Sequence, residues 1–233
     1  MNIKVLGPDV NESFYKFTVN DNNEIRFGMG AVKGVGRGAV KSIIEGRKEK
    51  KYSSIFDMTK AIDLRAANKK AFDSLVYAGG LDSFKKVHRA QYLHEEGDGI
   101  TFIEKALKFG SKFQENKNSA QVSLFENLTE TKFNEPAIPN CPKWSTLKSL
   151  KQEKEVVGIY ISGHPLDDFK FPIQHFCNVS LDLLNDLNLL LNKELKIGGI
   201  VSEVEHKISK NGKGWARFVL EDYKDSYEFR IFG

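Results

Sequence analysis

The sequence has little cysteine and no long hydrophobic run. Cys141 and Cys177 are its only cysteines, and neither has a second ligand at metal-binding spacing, so a zinc site and a disulfide scaffold are not expected. The leucine-rich stretch 183–191 is interrupted by asparagine and aspartate, and no run approaches the roughly 18 apolar residues of a membrane span. The first residues lack the pattern of a signal peptide. We therefore expect a cytoplasmic chain with reduced thiols and no membrane partner.

Basic residues exceed acidic residues only slightly over the whole chain. The 233 residues include 35 Lys and Arg and 31 Asp and Glu, a net charge of +4, which by itself implies no partner. Residues 31–51 are different, because seven basic side chains there face only Glu45 and Glu49. The seven are Lys33, Arg37, Lys41, Arg47, Lys48, Lys50 and Lys51. An anionic partner is therefore expected near this segment.

The tripeptide Gly34-Val35-Gly36 lies at the centre of this segment. Short stretches of helical character precede and follow it, and the second has apolar residues at helical spacing. Glycines permit positive φ and close approach of a ligand, and the N–H groups that open the next helix can bind an anion. The pattern predicts a helix-hairpin-helix that grips DNA phosphates without reading bases. Its predicted contact residues are Lys33, Gly34, Val35, Gly36, Arg37, Gly38 and Lys41.

Two other interpretations of this turn remain open. Residues 34–39 fit the dinucleotide fingerprint G-x-G-x-x-A, and Asp57 follows about twenty residues later. That fingerprint must follow a buried strand, however, and residues 30–33 have helical rather than β-branched character. The turn could also be a corner between helices that binds nothing.

Residues 28–113 are predicted to form a tandem helix-hairpin-helix domain. Helices are expected at 53–62, with serine capping, at 68–77, with Asn68 as cap, around 87–93 and over 100–113. A second glycine turn, Gly79-Gly80, joins two of these helices, and the two units would share one core. Since Asp82 lies beside the second turn, we expect that turn to be mainly structural.

Residues 114–142 have the composition of a linker. They are polar at 114–120 and contain prolines at 136, 139 and 142. Within them, Gln121, Val122, Ser123, Leu124 and Phe125 form a short stretch with an isolated apolar pair. This stretch either folds back onto the parent domain or fills a partner's hydrophobic pocket as a linear peptide.

Residues 143–192 are predicted to form a helical connector. One helix is expected at 144–157 and another after Pro165. His164, Asp167 and Asp168 are close in sequence, but an acidic pair at a helix start favours dipole complementation over catalysis. We predict no catalytic and no metal-binding residue in the chain.

The pattern changes to that of β-strands in residues 193–233. Strands are expected at 195–204, 215–220 and 227–232, with a basic turn at 207–214. They suggest the opening of an oligonucleotide-binding (OB) barrel, which needs five strands and is therefore incomplete. The predicted contacts, with no acid between them in sequence, are Lys207, Lys210, Lys213, Trp215 and Arg217. The fold class is mainly α with a C-terminal β part.

The order of several motifs is more specific than any one of them. The stretches are 8–13, 28–36, 78–82, 121–125, 158–165 and the strand-rich end. In this order the chain resembles, over essentially all of its length, the DNA polymerase III alpha subunit family, the C-family of bacterial replicative polymerases.

This resemblance implies a role for each segment. Residues 1–27 would end the fingers region, 28–113 would bind duplex DNA, and the OB region would contact single-stranded template. Residues 121–125 would dock on the sliding clamp, with Leu124 and Phe125 in its hydrophobic pocket. The family's Mg²⁺-binding carboxylates and its contacts with other replicase subunits would lie outside this chain. The expected function is a non-catalytic DNA- and clamp-binding segment of a nucleoid-associated replicase, without a cofactor of its own.

Two functions of other classes compete with this one. A helix-hairpin-helix glycosylase or lyase would need a lysine nucleophile and an aspartate after the hairpin, for which Asp57 is available. It leaves residues 121–125 and the strands without a role. A protein-interaction scaffold would use the glycine turns only as corners.

Overall fold

The computed structural model describes the backbone of residues 3–122 and 134–233, and the side chains of 3–117 and 134–233. These residues form two compact units, Met1–Ser162 and Gly163–Gly233. We call the first the helical unit and the second the strand unit, and we describe each by itself. The finer division of the chain into five segments stays a prediction.

The helical unit contains six helices and two small sheets within its described residues. The strands are β1 (Val5–Leu6), β2 (Thr18–Val19), β3 (Ile25–Arg26), β4 (Glu95–Glu96) and β5 (Ile100–Thr101). The helices are α1 (Arg37–Gly46), α2 (Ile55–Ala61), α3 (Lys69–Tyr77), α4 (Arg89–Tyr92), α5 (Phe102–Val122) and α6 (Thr146–Val157).

Helix starts follow the capping residues in the sequence. The side chain of Ser54 accepts a hydrogen bond from the Asp57 N–H at the start of α2, and Asn68 does the same at the start of α3. Ser145 caps α6. The helices predicted at 53–62, 68–77 and 144–157 are therefore confirmed. Helix α1 differs, since its N-cap residue is Gly36 and has no side chain to offer.

One hydrophobic core holds the helical unit together. The apolar stripes of α1, α2 and α3 are buried in it, together with Val10, Phe27 and Met29 from the N-terminal segment. Phe56 of α2 makes edge-to-face contacts with Phe102 and Phe109 of α5, at ring-centroid distances of 5.8 and 5.2 Å. The N-terminal segment is thus part of the same core as the hairpins.

Two helices differ in length from the sequence prediction. Helix α4 covers only Arg89–Tyr92, whereas α5 continues past residue 113 to Val122. The extension has a local cause, because the Gln114 amide donates to the carbonyls of Thr59 and Ile62, each at 2.8 Å, at the end of α2. Gln114, which the sequence places in a predicted linker, thus connects α5 to the end of α2.

A small three-stranded sheet lies near the N-terminus. β2 and β3 pair antiparallel, and β1 lies on the other side of β3 in parallel orientation. The loop between β1 and β2 is held by Arg47, whose guanidinium donates to the carbonyls of Val10 and Ser13 at 2.5 and 2.6 Å.

The segment that follows the undescribed stretch lies on the helical unit. Glu135 is 3.4 Å from Lys60 Nζ, and the Gln91 amide donates to the Pro139 carbonyl at 2.7 Å. His88 Nε2 lies 3.2 Å from the Cys141 carbonyl. Residues 134–141 are therefore fastened to the same unit as helix α5.

The strand unit has a single three-stranded antiparallel sheet among its described residues. It contains α7 (Lys170–Phe176), 3₁₀ turns at Asp167–Phe169, Leu181–Asn185 and Leu187–Leu190, and the strands β6 (Ile200–Ile208), β7 (Gly214–Glu221) and β8 (Ser226–Phe232), paired in that order. The second and third predicted strands are confirmed to within one residue. The first begins five residues later than expected, at Ile200, and has an irregularity between Val201 and Glu203.

The core of the strand unit is small. Leu181, Leu184 and Leu190 are buried, and Leu220 and Phe229 of the sheet pack against them. The three strands do not close into a barrel in the described part of the chain. The predicted fold class, mainly α with an incomplete C-terminal β part, is confirmed.

Candidate nucleic-acid interface

The first hairpin is a tight turn that leads directly into α1. A single 3₁₀ turn at Met29–Ala31 precedes it, in place of the short helix expected there. The Val35 N–H donates to the Val32 carbonyl at 3.1 Å, and Gly34 has a φ of +92°. Val35 is buried, whereas the two glycines beside it are exposed. The apolar residue anchors the turn, and the glycines form its surface.

Gly34 and Gly36 have different structural reasons to be glycine. A β-carbon on Gly34 would lie 2.6 Å from the Ser74 hydroxyl oxygen, and the positive φ disfavours any side chain there. A β-carbon on Gly36 would meet nothing within 4 Å, and the φ of Gly36 is an ordinary −75°. Gly34 is thus required by the fold. Gly36 instead leaves open space in front of the helix.

The N-terminus of α1 begins without a side-chain cap. The first N–H groups of a helix have no acceptor within it. In α1 the first helical bond is from the Val40 N–H to the Gly36 carbonyl, at 3.1 Å. Gly36 has no side chain to cap the N–H groups of the first turn that follows it, and the space beside Gly36 is open. Such a helix start, with the positive end of its dipole, favours an anion.

Three of the predicted basic residues are exposed around this turn. Lys33, Arg37 and Lys41 are all exposed, and the Arg37 guanidinium lies 5.6 Å from the centre of the Tyr15 ring. The Lys33 backbone N–H donates to the Val156 carbonyl at 2.8 Å, which fixes the turn to the end of α6. The structure thus brings together the predicted residues 33–38 and Lys41.

The other basic residues of segment 31–51 do not join this site. Arg47 is engaged in the N-terminal loop, where burial lowers the pKa of its guanidinium. Lys48 Nζ lies 2.5 Å from Glu45. Lys50 and Lys51 follow the far end of α1, about 15 Å from its start for a ten-residue helix. A count of charges along the sequence therefore overstates the charge at the turn.

The geometry does not fit the dinucleotide fingerprint. No strand leads directly into Gly34 in the described backbone, where a 3₁₀ turn precedes it. Asp57, the acid that follows the fingerprint about twenty residues later, accepts hydrogen bonds from the hydroxyl and the backbone N–H of Ser53, which lower its pKa. That carboxylate belongs to the start of α2.

The second hairpin is covered by charged side chains of the helical unit. Gly79 has a φ of +79°, and the N–H groups of Gly79 and Gly80 donate to carbonyls of α3. The Arg89 guanidinium lies over Gly79 and makes an ion pair of 2.6 Å with Asp82 and one of 3.5 Å with the buried Glu153. The backbone N–H groups of this turn are thus already hydrogen-bonded to α3, which fits the mainly structural role expected for the turn.

Acids of the sheet engage two of the basic residues predicted in the strand unit. Arg217 lies 3.6, 3.2 and 2.9 Å from Glu203, Glu205 and Glu228, and the hydrogen bond to Glu228 raises its pKa. Lys207 lies 3.0 Å from Glu205. The acids lie outside residues 207–217: Glu203 and Glu205 precede this stretch on β6, and Glu228 follows it on β8.

One end of the sheet keeps the aromatic surface predicted from Trp215. Its ring stacks with Phe232 at 6.2 Å, and the Lys207 ammonium lies 5.5 Å from its centre. Lys210 and Lys213 are exposed in the turn between β6 and β7, and within the part of the chain that the structure describes they have no ion pair. Trp215 and the two turn lysines are thus near each other in the hairpin.

The predicted peptide 121–125 falls largely outside the structure. Gln121 and Val122 belong to the backbone of α5, but their side chains are not described, and Ser123, Leu124 and Phe125 lie outside the described residues. Within the described ranges, no group of three His, Cys, Asp or Glu side chains could hold a metal ion. No helix described here has the length and hydrophobicity needed to cross a membrane.

Asp167, the first acid after Pro165, has a structural role. Asp167 accepts a hydrogen bond from the His164 N–H at 2.7 Å, which is the main reason why its pKa is lowered, and another from the Tyr223 hydroxyl at 3.1 Å. These bonds hold the turn before α7 within the strand unit.

Sequence similarity covers the whole chain. A family model described as a helix-hairpin-helix motif matches residues 2–92. The chain is 31% identical to the DNA polymerase III subunit alpha of Buchnera aphidicola and 32% identical to that of Pseudomonas fluorescens. The alignments cover 100% of this chain but only 19% and 20% of those relatives. The resemblance seen in the motifs is thus confirmed: over its full length the chain is similar to a fifth of the DNA polymerase III alpha subunit, and it contains a helix-hairpin-helix.

Proposed function

We propose that this chain is a DNA-binding segment of a replicative DNA polymerase alpha subunit. The first hairpin binds a phosphate of duplex DNA through the free N–H groups at the start of α1, and Lys33, Arg37 and Lys41 supply positive charge around it. Such contacts hold DNA regardless of sequence. The matched helix-hairpin-helix model and the names of the relatives support this proposal.

The observation that carries the proposal is the open, uncapped start of α1. Helices α2, α3 and α6 begin with a side chain that accepts from the helix, whereas α1 begins with Gly36 and unfilled space. A helix that forgoes a cap gives up some stability. That loss is understandable if the DNA phosphate takes the place of the cap.

We predict that Gly36→Asp removes duplex binding without harming the fold. Aspartate at this position caps α1, so thermal stability should stay the same or rise slightly. The carboxylate also occupies and repels the phosphate, so affinity for a mixed-sequence duplex should fall at least about tenfold. Fluorescence anisotropy at several salt concentrations, with melting of each variant, measures both effects.

Ser145→Asp is the matched control, because it places the same charge at the N-cap of α6 in the same unit. Its effect on duplex affinity should be much smaller. Equal affinities for Gly36→Asp and the native chain would favour a scaffold in which the turn is only a corner. Binding that does not weaken with salt would contradict phosphate contacts altogether.

We also propose that the sheet of the strand unit contacts single-stranded template. Trp215 offers a stacking face, with Lys210 and Lys213 beside it in the β6–β7 turn. Arg217 and Lys207, which were predicted alongside them, should contribute less because carboxylates already engage their charges.

We infer that residues 121–125 bind the sliding clamp. The support is their sequence and their position, since both flanking segments, α5 and residues 134–141, belong to the helical unit. A clamp contact and a DNA contact on one chain act at high effective concentration. Processivity can then rise although neither contact is tight.

The clamp contact predicts a specific loss on mutation. In a pull-down with the clamp of the same organism, the native chain should be retained and Leu124→Ala/Phe125→Ala should be lost. Duplex affinity of the double variant should stay unchanged, since the hairpin is intact. Equal retention of both proteins would show that the apolar pair has another role.

The polymerase reaction itself is proposed for the whole protein and not for this segment. We expect its carboxylates and Mg²⁺ ions in regions outside this chain, along with contacts to the other replicase subunits. The segment needs no cofactor for the proposed role and steadies the DNA for that distant active site.

A further inference from the structure

Lys70, on helix α3, lies against the Gly34 turn of the first hairpin. A β-carbon placed on Gly34 would be 3.7 Å from Lys70 Cε and 2.6 Å from the Ser74 hydroxyl oxygen. Lys70 and Ser74 are four residues apart on α3 and therefore share one face of that helix. This face of α3 is the surface on which the Gly34 turn rests.

The two residues of this face differ in exposure. Ser74 is buried, with 6% of its surface accessible, and fixes α3 against the turn. Lys70 is exposed, and its ammonium is one bond from the carbon that lies beside Gly34. Because Ser74 fixes this face of α3 against the turn, the ammonium group of Lys70 lies at the exposed edge of the first hairpin.

Lys69, the preceding residue, provides a contrast. Its ammonium lies 3.5 Å from Asp73 and 3.9 Å from Glu104, so two acids engage it. Lys70 has no ion pair with any residue that the structure describes. Adjacent lysines of the same helix thus differ in available charge, and the one beside the hairpin is the available one.

We propose that Lys70 is a further ligand of the DNA phosphate bound at the first hairpin. The inference rests on the proposed function and extends it, because the site then takes donors from α1 and a cation from α3. Helix α3 precedes the second hairpin, whose Gly79 turn is covered by Arg89. Through Lys70, this helix contributes to DNA binding at the first hairpin. It acts as a phosphate contact and carries no base specificity.

The test compares Lys70→Ala with Lys69→Ala in the full chain. Both variants lose one positive charge at neighbouring positions of α3. Removing one phosphate contact should lower the slope of log affinity against log salt by about 0.9 and weaken binding at low salt severalfold. We expect this for Lys70→Ala, a much smaller change for Lys69→Ala, and near-native binding for Lys70→Arg.

Each outcome separates the inference from the function on which it rests. If Lys70→Ala and Lys69→Ala have the same slope and affinity while the native chain binds duplex, the Lys70 contact is refuted and the hairpin proposal stands. If the native chain binds no duplex, or binds it independently of salt, both are refuted. Melting curves of all variants confirm that any loss of binding is not a loss of fold.

Discussion

Tyr52 secures helix α1 from its far end. Its hydroxyl donates to the Ile43 carbonyl at 2.7 Å, and its backbone N–H donates to the Asn11 side chain at 2.8 Å. The ring is 5% exposed, and burial raises the pKa of its hydroxyl to about 12. One residue thus joins the C-terminal part of α1 to the N-terminal loop that Arg47 also holds.

We predict that Tyr52→Phe costs about 1 kcal/mol at neutral pH, the usual net value of a buried hydrogen bond. It should also change the alkaline pH dependence. The unfolded tyrosine ionises near its ordinary pKa of 10.0 and the folded one near 12, so the native chain's stability from this group is complete below pH 10 and lost as pH rises toward 12. Urea unfolding of the variant should show a shallower loss in that range, while parallel profiles would contradict this role.

Individual glycines show what sequence reasoning can and cannot see at this scale. The spacing of Gly34 and Gly36 predicts the turn correctly, but it does not reveal that only Gly34 packs on Ser74. Likewise, Gly28 and Gly30 belong to a recognisable motif, and only the structure shows Tyr15 and Lys16 filling the space beside them. The local sequence shows where glycine gives the backbone freedom. Why a glycine is needed at that position depends on which residues, distant in the chain, pack beside it.

Helices are the elements that the sequence predicts best here. The predicted starts at 53, 68 and 144 lie within about two residues of the starts of α2, α3 and α6. Serine capping and Asn68 indicate the first two starts, and an apolar stripe indicates the third. The extension of α5 could not be read from its polar sequence, because it depends on Gln114 binding carbonyls at the end of α2.

Strands are harder because register decides what each side chain meets. The sequence predicts a basic hairpin in the strand unit, yet pairing places Glu205 opposite Arg217 and Lys207 opposite Trp215. The same holds for Lys70, whose place at the hairpin depends on how α3 packs against the turn. Contacts across elements are the part of the candidate site that local patterns leave out.

At the scale of the whole molecule, the two units differ greatly in their cores. The helical unit buries side chains from all six of its described helices, and Val156 and Val157 of α6 pack against the main cluster. The strand unit buries Leu181, Leu184 and Leu190 and leaves Phe176 and Phe232 largely exposed. Since apolar burial is the main source of stability, the strand unit should be the weaker one.

The chain's two tryptophans allow this difference to be measured, because Trp144 stacks on Tyr77 in the helical unit and Trp215 lies in the sheet. In Trp144→Phe, fluorescence reports the strand unit, and in Trp215→Phe it reports the helical unit. We predict that the strand unit melts lower by about 5 °C or more, which corresponds to roughly 1 kcal/mol for a unit of this size. Coincident melting of both reporters would show that the units unfold together.

The contact between Gly34 and Ser74 has a thermodynamic consequence for the proposed site. An anion held by both α1 and α3 favours only the arrangement in which the two helices are packed, so binding and packing are linked. An anion bound at this site stabilises the packing of α1 against α3, and the packing raises the affinity for the anion by the same free energy. Substitutions on the buried side of α3 can therefore alter DNA affinity without touching DNA, and selection on binding also acts on the core.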